Sequence, residues 1–169
     1  MERHSVGFRF VAREPTAAVI TVSDGVTAGT RVDESGPAVA SLLERSGFAV
    51  SGHLVADERE DIERSITALA AECSLVVTTG GTGFSPRDVT PEATRAVLDR
   101  EAPGLAEAMR AAGRAITPFA DMSRGVAGTV GTALVLNLPG SPKGAVESLE
   151  AVLPILPHAL EHLTGETSH

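Results

Sequence analysis

The sequence predicts an α/β protein: a three-layer α/β/α domain with a mostly parallel central sheet. Two observations point there. Short, continuous apolar runs rich in Val, Leu and Ile alternate with longer stretches whose apolar residues recur at helical spacing. Strands covered on both faces read as continuous runs of this kind, whereas half-exposed strands alternate. The length of 169 residues, 43% hydrophobic and 21% charged, suits one domain, and such a chain buries about 70% of the surface it exposes when unfolded. Residues 1–169 are therefore expected to form a single domain.

Each element follows from its own residues. In residues 1–16, Phe8, Phe10 and Ala12 alternate with Arg9, Val11 and Arg13, which fits either an edge strand or a loose arm. Ala17–Val22 (AAVITV), between Pro15 and the turn residues Ser23-Asp24-Gly25, predicts a buried strand. Ser35-Gly36-Pro37 opens a helix with proline in its first turn; Val39, Leu42, Leu43 and Ser46 share one side, and Gly47 ends it. Ala49–Val55 is a second strand. Asp57 begins an Asp-x-x-Glu pattern with Glu60, an N-cap signature, and Ile62, Ile66, Leu69 and Cys73 follow at helical spacing, which puts Cys73 in the core. Leu75–Thr79 (LVVTT) is a third strand, running straight into Gly80-Gly81-Thr82-Gly83. Thr90-Pro91-Glu92 starts another helix, with an acid that suits the helix dipole. A helix over Pro103–Ala112 is closed by Gly113, and Ala133–Leu138 (ALVLNL) is a last strand, ending in Pro139-Gly140-Ser141-Pro142. From Lys143 onward Val146, Leu149, Leu153, Leu156, Leu160 and Leu163 form a helical stripe, broken or kinked by Pro154 and Pro157. Residues 164–169 read as a frayed tail.

Composition excludes several function classes. The net charge is −8, with no Lys/Arg cluster, and there is no Trp, no Tyr and only five Phe. Both a polyanion footprint and stacking platforms for single-stranded nucleic acid are missing, so no nucleic-acid partner is expected. No run approaches the length of a membrane span, and no apolar secretory stretch follows the N-terminus. The single Cys73 rules out an internal disulfide framework and any CxxC knuckle. The expectation is a cytoplasmic protein without a membrane partner. The chain has 13 Arg but one Lys, Lys143, and that lysine falls inside a motif.

In a parallel sheet, ligands bind outside the carboxyl ends of the strands. Ser23–Gly36, Asp57, Gly80–Pro91 and Pro139–Gly144 all follow strands and should gather at one rim. Thr79-Gly80-Gly81-Thr82-Gly83 leaves its backbone approachable and reads either as an anion-binding nest or as a tight turn with no ligand. It is not G-x-G-x-x-G, because Pro86 takes the last place, and no P-loop occurs anywhere. Arg87 could meet a phosphate bidentately. Asp88 could cap the following helix or hold a cation; Asp57, Asp88 and Asp33 together would suit Mg²⁺, which takes one or two carboxylates plus substrate phosphates. Ser141-Pro142 gives a second helix N-terminus able to accept an anion, where Lys143 adds a point charge or is simply an exposed first-turn lysine. His158-x-x-Glu161-His162 has the spacing of an inverted zinc-protease helix, but lacks a third ligand downstream and sits on the amphipathic stripe. There is no nucleophile elbow and no Cys/His pair, so an enzyme of this kind would supply positioning and electrostatics while the substrate supplies the nucleophile.

Three motifs, in order, resemble the MogA/MoaB family of molybdenum-cofactor biosynthesis proteins. They are Thr21-Val22-Ser23-Asp24 with Asp33-x-Ser35-Gly36-Pro37, then T-G-G-T-G-x-x-x-R-D-V-T-P-E-A at Thr79–Ala93, then N-L-P-G-S-P-K at Asn137–Lys143. The resemblance runs from about Ala17 to Leu163. It implies a molybdopterin adenylyltransferase of the Mog type, taking molybdopterin and ATP. By motif matching it implies Asp57 and Asp88 as catalytic carboxylates holding Mg²⁺, with Asp33 a third acidic position. Gly80, Gly81, Thr82 and Gly83 would cradle nucleotide phosphate; Ser141 and Lys143 would hold the pterin phosphate; Ser23, Asp24, Arg87, Pro139 and Gly140 complete the binding motifs. It also implies a homotrimer and a downstream molybdenum-insertion protein as a partner. Ala56 departs from the family, where many members carry Pro before the aspartate. The competing class is a MoaB-type molybdopterin-binding or scaffold protein with little turnover; paired carboxylates favour the enzyme, because a pure binder has no need of them. A CinA-like nucleotide-processing domain is disfavoured, since no second domain is read from the chain.

Overall fold

A computed structural model describes residues 14–166. Six strands form one mixed sheet, in the order β2-β1-β3-β6-β5-β4. They are β1 (Thr16–Val22), β2 (Ala49–Val55), β3 (Leu75–Thr79), β4 (Arg100–Glu101), β5 (Ala127–Val130) and β6 (Ala133–Leu138). The β2/β1, β1/β3 and β3/β6 pairs are parallel, and β5 runs antiparallel to both of its neighbours. The helices are α1 (Asp24–Thr27), α2 (Ser35–Arg45), α3 (Arg59–Ala70), α4 (Thr90–Val97), α5 (Pro103–Arg114), α6 (Pro142–Val152) and α7 (Leu156–Thr164).

Successive residues of the central strands point to opposite faces, and the two faces bury separate cores. Ala17, Val19, Leu75, Val77, Leu134 and Leu136 pack with Leu43 of α2, Met109 of α5, Leu149 of α6 and Leu156 of α7. Ile20, Val22, Val76 and Val135 pack with Ile62 and Ile66 of α3 and Ala93 of α4. The predicted three layers are present. After β2 the chain crosses to the other side of β1 to form β3. That reversal is the switch point at which an α/β sheet opens a crevice beyond its strand ends.

Several expectations are corrected. The β2 strand is mostly exposed rather than covered on both faces, because it is the outer strand of the sheet. Asp57 does not cap α3: the cap position is Glu58, which makes no side-chain cap bond. Gly113 does not close α5, which runs on to Arg114. A Cβ there would lie 2.7 Å from Ala120 Cβ, so the glycine serves a close approach. Cys73 lies beyond the end of α3, half-buried, and burial raises its thiol pKa. Thr164 still belongs to α7, and Gly165 caps that helix at φ 74°. The edge strand or arm expected at residues 1–16 and the rest of the tail fall on residues 1–13 and 167–169, outside the described residues. The kink is where the prolines place it, as a 3-10 turn over Leu153–Ile155 between α6 and α7. Among the described residues, no helix is long and apolar enough to cross a membrane.

Candidate active site

The three predicted segments do meet at one rim. Two cavities open there, sharing Ser141. A polar one of about 400 Å³ is lined by Ser23 and Asp33 after β1, Asp57 after β2, Gly80, Gly81 and Asp88 after β3, and Gly140 and Ser141 after β6. A smaller one of about 250 Å³ is lined by Thr82, Gly83, Pro139 and Ser141 and by the apolar side chains of Met109, Phe119, Ala120 and Met122.

The Gly80–Gly83 turn is built by its neighbours. Gly80 (φ 94°) donates its N–H to Leu138 O at 3.2 Å, and Thr90 Oγ1 donates to Gly80 O at 3.0 Å. The turn also touches the β6 loop, since a Cβ on Gly140 would lie 3.3 Å from Gly80 Cα. Among the described residues, the N–H groups of Gly81, Thr82 and Gly83 donate to no protein acceptor. Three successive unpaired donors are what an anion nest requires. At the second strand end Ser141 caps α6, its Oγ accepting from Gly144 N at 3.2 Å.

The carboxylates differ in how far they are committed. Asp33 accepts from Thr21 Oγ1 at 2.7 Å and from Gly36 N at 2.9 Å, so both oxygens are engaged in holding the start of α2. Asp88 Oδ2 accepts from Ser85 N at 2.9 Å, which makes it a local turn-former rather than the cap of α4. Asp57 Oδ2 accepts from Asp24 N at 2.9 Å, while its Oδ1 makes no hydrogen bond and would lie 3.2 Å from a Cβ on Gly81. Burial raises the Asp57 pKa, and the charges of Asp24 and Asp88 push it the same way against the bond from Asp24. A carboxylate pressed by like charges across an open cavity makes a place that a divalent cation would relieve. Among the described residues no group of three or more His, Cys, Asp or Glu is placed to hold a metal by itself. The donor set therefore fits Mg²⁺, which relies on substrate phosphates for its remaining ligands, and does not fit an all-protein cage.

Asp24, Arg87 and Lys143 line neither cavity. Arg87 is bidentate to Asp24 at 2.9 and 3.1 Å and donates to Glu58 at 2.8 Å, tying together the loops after β1, β2 and β3. Lys143 is solvent-exposed, with its Nζ 3.7 Å from Glu147 Oε1. His158 and His162 pack edge to face on the exposed side of α7 and line neither cavity.

Arg124 is the group that sequence reasoning missed. Its main-chain N donates to Thr82 O at 2.9 Å, its Nε to Gly83 O at 2.8 Å and its Nη2 to Asp88 O at 2.9 Å, and its guanidinium also pairs with Glu92. It staples the glycine turn to the Asp88 loop. The segment around it carries no periodic pattern, so nothing local marks it. Asn137 did carry a signal, as the polar residue in an apolar run: buried, it donates to Thr78 Oγ1 at 3.0 Å and Thr94 Oγ1 at 2.9 Å and accepts from Val126 N at 3.2 Å.

Known proteins share this chain's sequence and fold. Residues 18–158 match the family described as "Probable molybdopterin binding domain". A molybdopterin adenylyltransferase from Helicobacter pylori is 41% identical over 152 residues, covering 87% of this chain and 86% of the relative. The molybdenum cofactor synthesis protein cinnamon of Drosophila melanogaster is 40% identical over 156 residues, covering 89% of this chain but only 26% of that longer protein. The crystal structure of the molybdopterin biosynthesis enzyme MoaB from Thermus thermophilus superposes with a TM-score of 0.84 at 52% identity, covering 89% of this chain and 97% of that one. With most of its length matched, the chain belongs to the molybdopterin-binding domain family.

Proposed function

We propose that the protein is a molybdopterin adenylyltransferase. It transfers AMP from ATP to the terminal phosphate of molybdopterin and releases pyrophosphate, as a step of molybdenum cofactor biosynthesis. The observation that carries this reading is the polar cavity itself, where Asp57 and Asp88 stand with Gly81, first of three successive turn residues whose N–H groups donate to no acceptor among the described residues; the other two, Thr82 and Gly83, line the adjoining cavity. Such a site suits two phosphorylated substrates better than a carbonyl or glycosidic one. The name of the Helicobacter pylori relative supports the same chemistry.

A phosphate oxygen of molybdopterin attacks the α-phosphorus of ATP, and the bond from that phosphorus to the bridging oxygen of the β-phosphate breaks. Phosphoryl-type transfer needs in-line positioning and charge neutralisation more than a protein nucleophile. Asp57 and Asp88 would hold Mg²⁺, which supplies neutralisation of the phosphate charge when bound. The Gly81–Gly83 donors and the α6 N-terminus at Ser141, which follow the adjacent strands β3 and β6, hold the two phosphates side by side. Arg87 reaches a phosphate by leaving Asp24, and Lys143 contributes only long-range attraction. The cytoplasm, where ATP is plentiful, is the setting. A homotrimer carries over from the family resemblance. A molybdenum-insertion protein is the partner that would receive the product.

Purified protein given molybdopterin, ATP and Mg²⁺ is expected to release pyrophosphate, and Asp88→Asn to lose turnover while still binding the pterin. Full activity in that variant sinks the carboxylate assignment. The alternative is a MoaB-type molybdopterin-binding or scaffold protein with little turnover, which wild-type binding without product would establish.

A further inference from the structure

The histidine pair of α7 is a motif that the transfer chemistry leaves unused. His158 and His162 are four residues apart, so both imidazoles leave the same side of the helix. The other side of α7 is committed to the core: Leu156 and Leu160 are buried, with Ala159 and Leu163 packed beside them. Nε2 of His158 lies 3.0 Å from Nε2 of His162, and the ring planes meet at 79°. Without a metal, one neutral imidazole donates this bond to the other. With both rings as Nδ1–H tautomers, the same two atoms are a pair of lone-pair donors for one ion. Glu161 Oε2 is 3.9 Å from His158 Nδ1, within ion-pair reach. A carboxylate on that side favours the Nδ1–H tautomer and leaves Nε2 free to bind a metal. His162 also stands in the last turn of α7, where the helix dipole favours positive charge.

We propose that His158 and His162 chelate one tetragonal divalent metal ion on the outer face of α7, Cu(II) more tightly than Ni(II) or Zn(II), with Glu161 orienting His158. The spacing selects the geometry. Two nitrogens about 2.0–2.1 Å from one ion and 3.0 Å apart subtend roughly 95° at the metal. That is a cis pair of a square or octahedral shell; a tetrahedral ion would spread the same atoms to about 3.3 Å. Imidazole nitrogens in a tetragonal shell suit Cu(II) and Ni(II), and the ordinary order of divalent affinities puts Cu(II) first. Among the described residues no group of three or more His, Cys, Asp or Glu forms a cage, so water fills the remaining positions. The pair lines neither rim cavity. The ion therefore stands apart from the transfer chemistry, and its effect is to clip two turns of the last described helix together.

The chain has five histidines, so the test first removes the others. Untagged His4→Ala/His53→Ala/His169→Ala protein, stripped of metal by a chelator, keeps only this pair of imidazoles. Calorimetric titration with Cu(II) is expected to find a site of one ion per chain, and pulsed paramagnetic resonance to count two imidazole ligands on it. Adding His158→Ala or His162→Ala should weaken that site at least about tenfold, since losing only the carboxylate behind a metal-bound histidine costs about as much. Copper held by the N-terminal amine is common to all these proteins and cancels in the comparison. Saturation with Cu(II) should raise the melting point by several degrees, and either added substitution should remove that gain. Both side chains are exposed, so the variants are expected to fold. Equal Cu(II) affinity with and without the pair overturns the proposal, as does a complex with fewer than two imidazole ligands. Tighter binding of Zn(II) than of Cu(II) overturns it too.

Discussion

Asp24 and Asp57, 33 residues apart, hold each other by reciprocal bonds: each carboxylate accepts from the other's main-chain N–H, at 2.9 and 3.0 Å. The exchange locks the loop after β1 to the loop after β2, yet the two acids titrate in opposite directions. The Arg87 hydrogen bond holds Asp24 below its ordinary value. Burial raises Asp57.

Asp57→Asn is expected to stabilise the fold while abolishing turnover. A carboxyl whose folded pKa is raised favours the folded state while protonated, and that contribution is lost as pH rises through the folded value. At pH 7 the ionised Asp57 is therefore a liability that the uncharged amide lacks, and the amide oxygen still accepts from Asp24. Thermal melts should show a small gain at pH 7, shrinking as pH falls toward the ordinary carboxyl value of 3.8. A loss of stability at neutral pH would show that Asp57 is structural rather than functionally strained.

Arg124 holds the glycine turn and the Asp88 loop in one geometry. Arg124→Ala removes three side-chain contacts. It also strands Glu92, whose Oε2 is already buried without a partner. Burial, the largest single influence, works against the Glu92 charge, but the Arg124 bond, a backbone bond and the charges of Arg124 and Arg95 together outweigh it, so the pKa is lowered. The variant should lose about 2–3 kcal/mol, read as a melting point about 5–10 °C lower. Amide exchange should accelerate over residues 81–89 while the sheet stays protected. Turnover should fall about 10- to 100-fold through misplacement of Asp88. Arg124→Lys, which reaches one carbonyl at a time, should recover only part of it. Unchanged exchange in that segment would mean the loop holds itself.

What the sequence disclosed depended on whether the cause was local. Strands β1, β3 and β6 are largely apolar runs and could be read directly, whereas β2, Ala-Val-Ser-Gly-His-Leu-Val, was readable as a strand but not as an outer one. Strand β4 has two exposed residues and β5 reads Ala-Gly-Thr-Val; the register of β5 comes from pairing to β6 and that of β4 from pairing to β5, which no local pattern encodes. Asp57 looked like a helix cap because Asp-x-x-Glu is a local signature, whereas its real partner, Asp24, lies on another loop. The gathering of Asp57, Asp88, Gly80 and Ser141 was legible because strand order and chain direction alone bring strand ends together. The partners of Arg87 and Arg124 were not, since long side chains choose among loops only after the sheet has assembled.

Gly80 should prove far less replaceable than Gly29, although both have positive φ, 94° and 74°. An alanine at Gly29 meets nothing within 4 Å, so it carries only the left-handed backbone penalty, about 1–2 kcal/mol. At Gly80 the new Cβ would sit 2.4 Å from Val22 O, a main-chain atom of β1 that cannot turn aside. Gly80→Ala should therefore melt several degrees below Gly29→Ala and lose nucleotide binding as the turn is pushed off the strand ends. Equal melting points for the two variants would contradict the close approach.

Arg87→Gln separates a phosphate-binding role from a purely structural one. The arginine is half-exposed in its pairs with Asp24 and Glu58, so its loss should move the melting point little at pH 7. What it does lose depends on pH in a definite sense. Asp24, with a depressed folded pKa, contributes stability above the ordinary value of 3.8 that disappears as pH falls through the folded one. The small deficit of Arg87→Gln should accordingly be seen at neutral pH and vanish in acid. If Arg87 also swings onto a phosphate, the KM for ATP rises about tenfold, the worth of one charge-assisted bond, with kcat less affected. A variant with the acid-dependent deficit and an unaltered KM would confine Arg87 to clamping Asp24 and Glu58, leaving the Gly81–Gly83 amides and the α6 N-terminus as the phosphate donors.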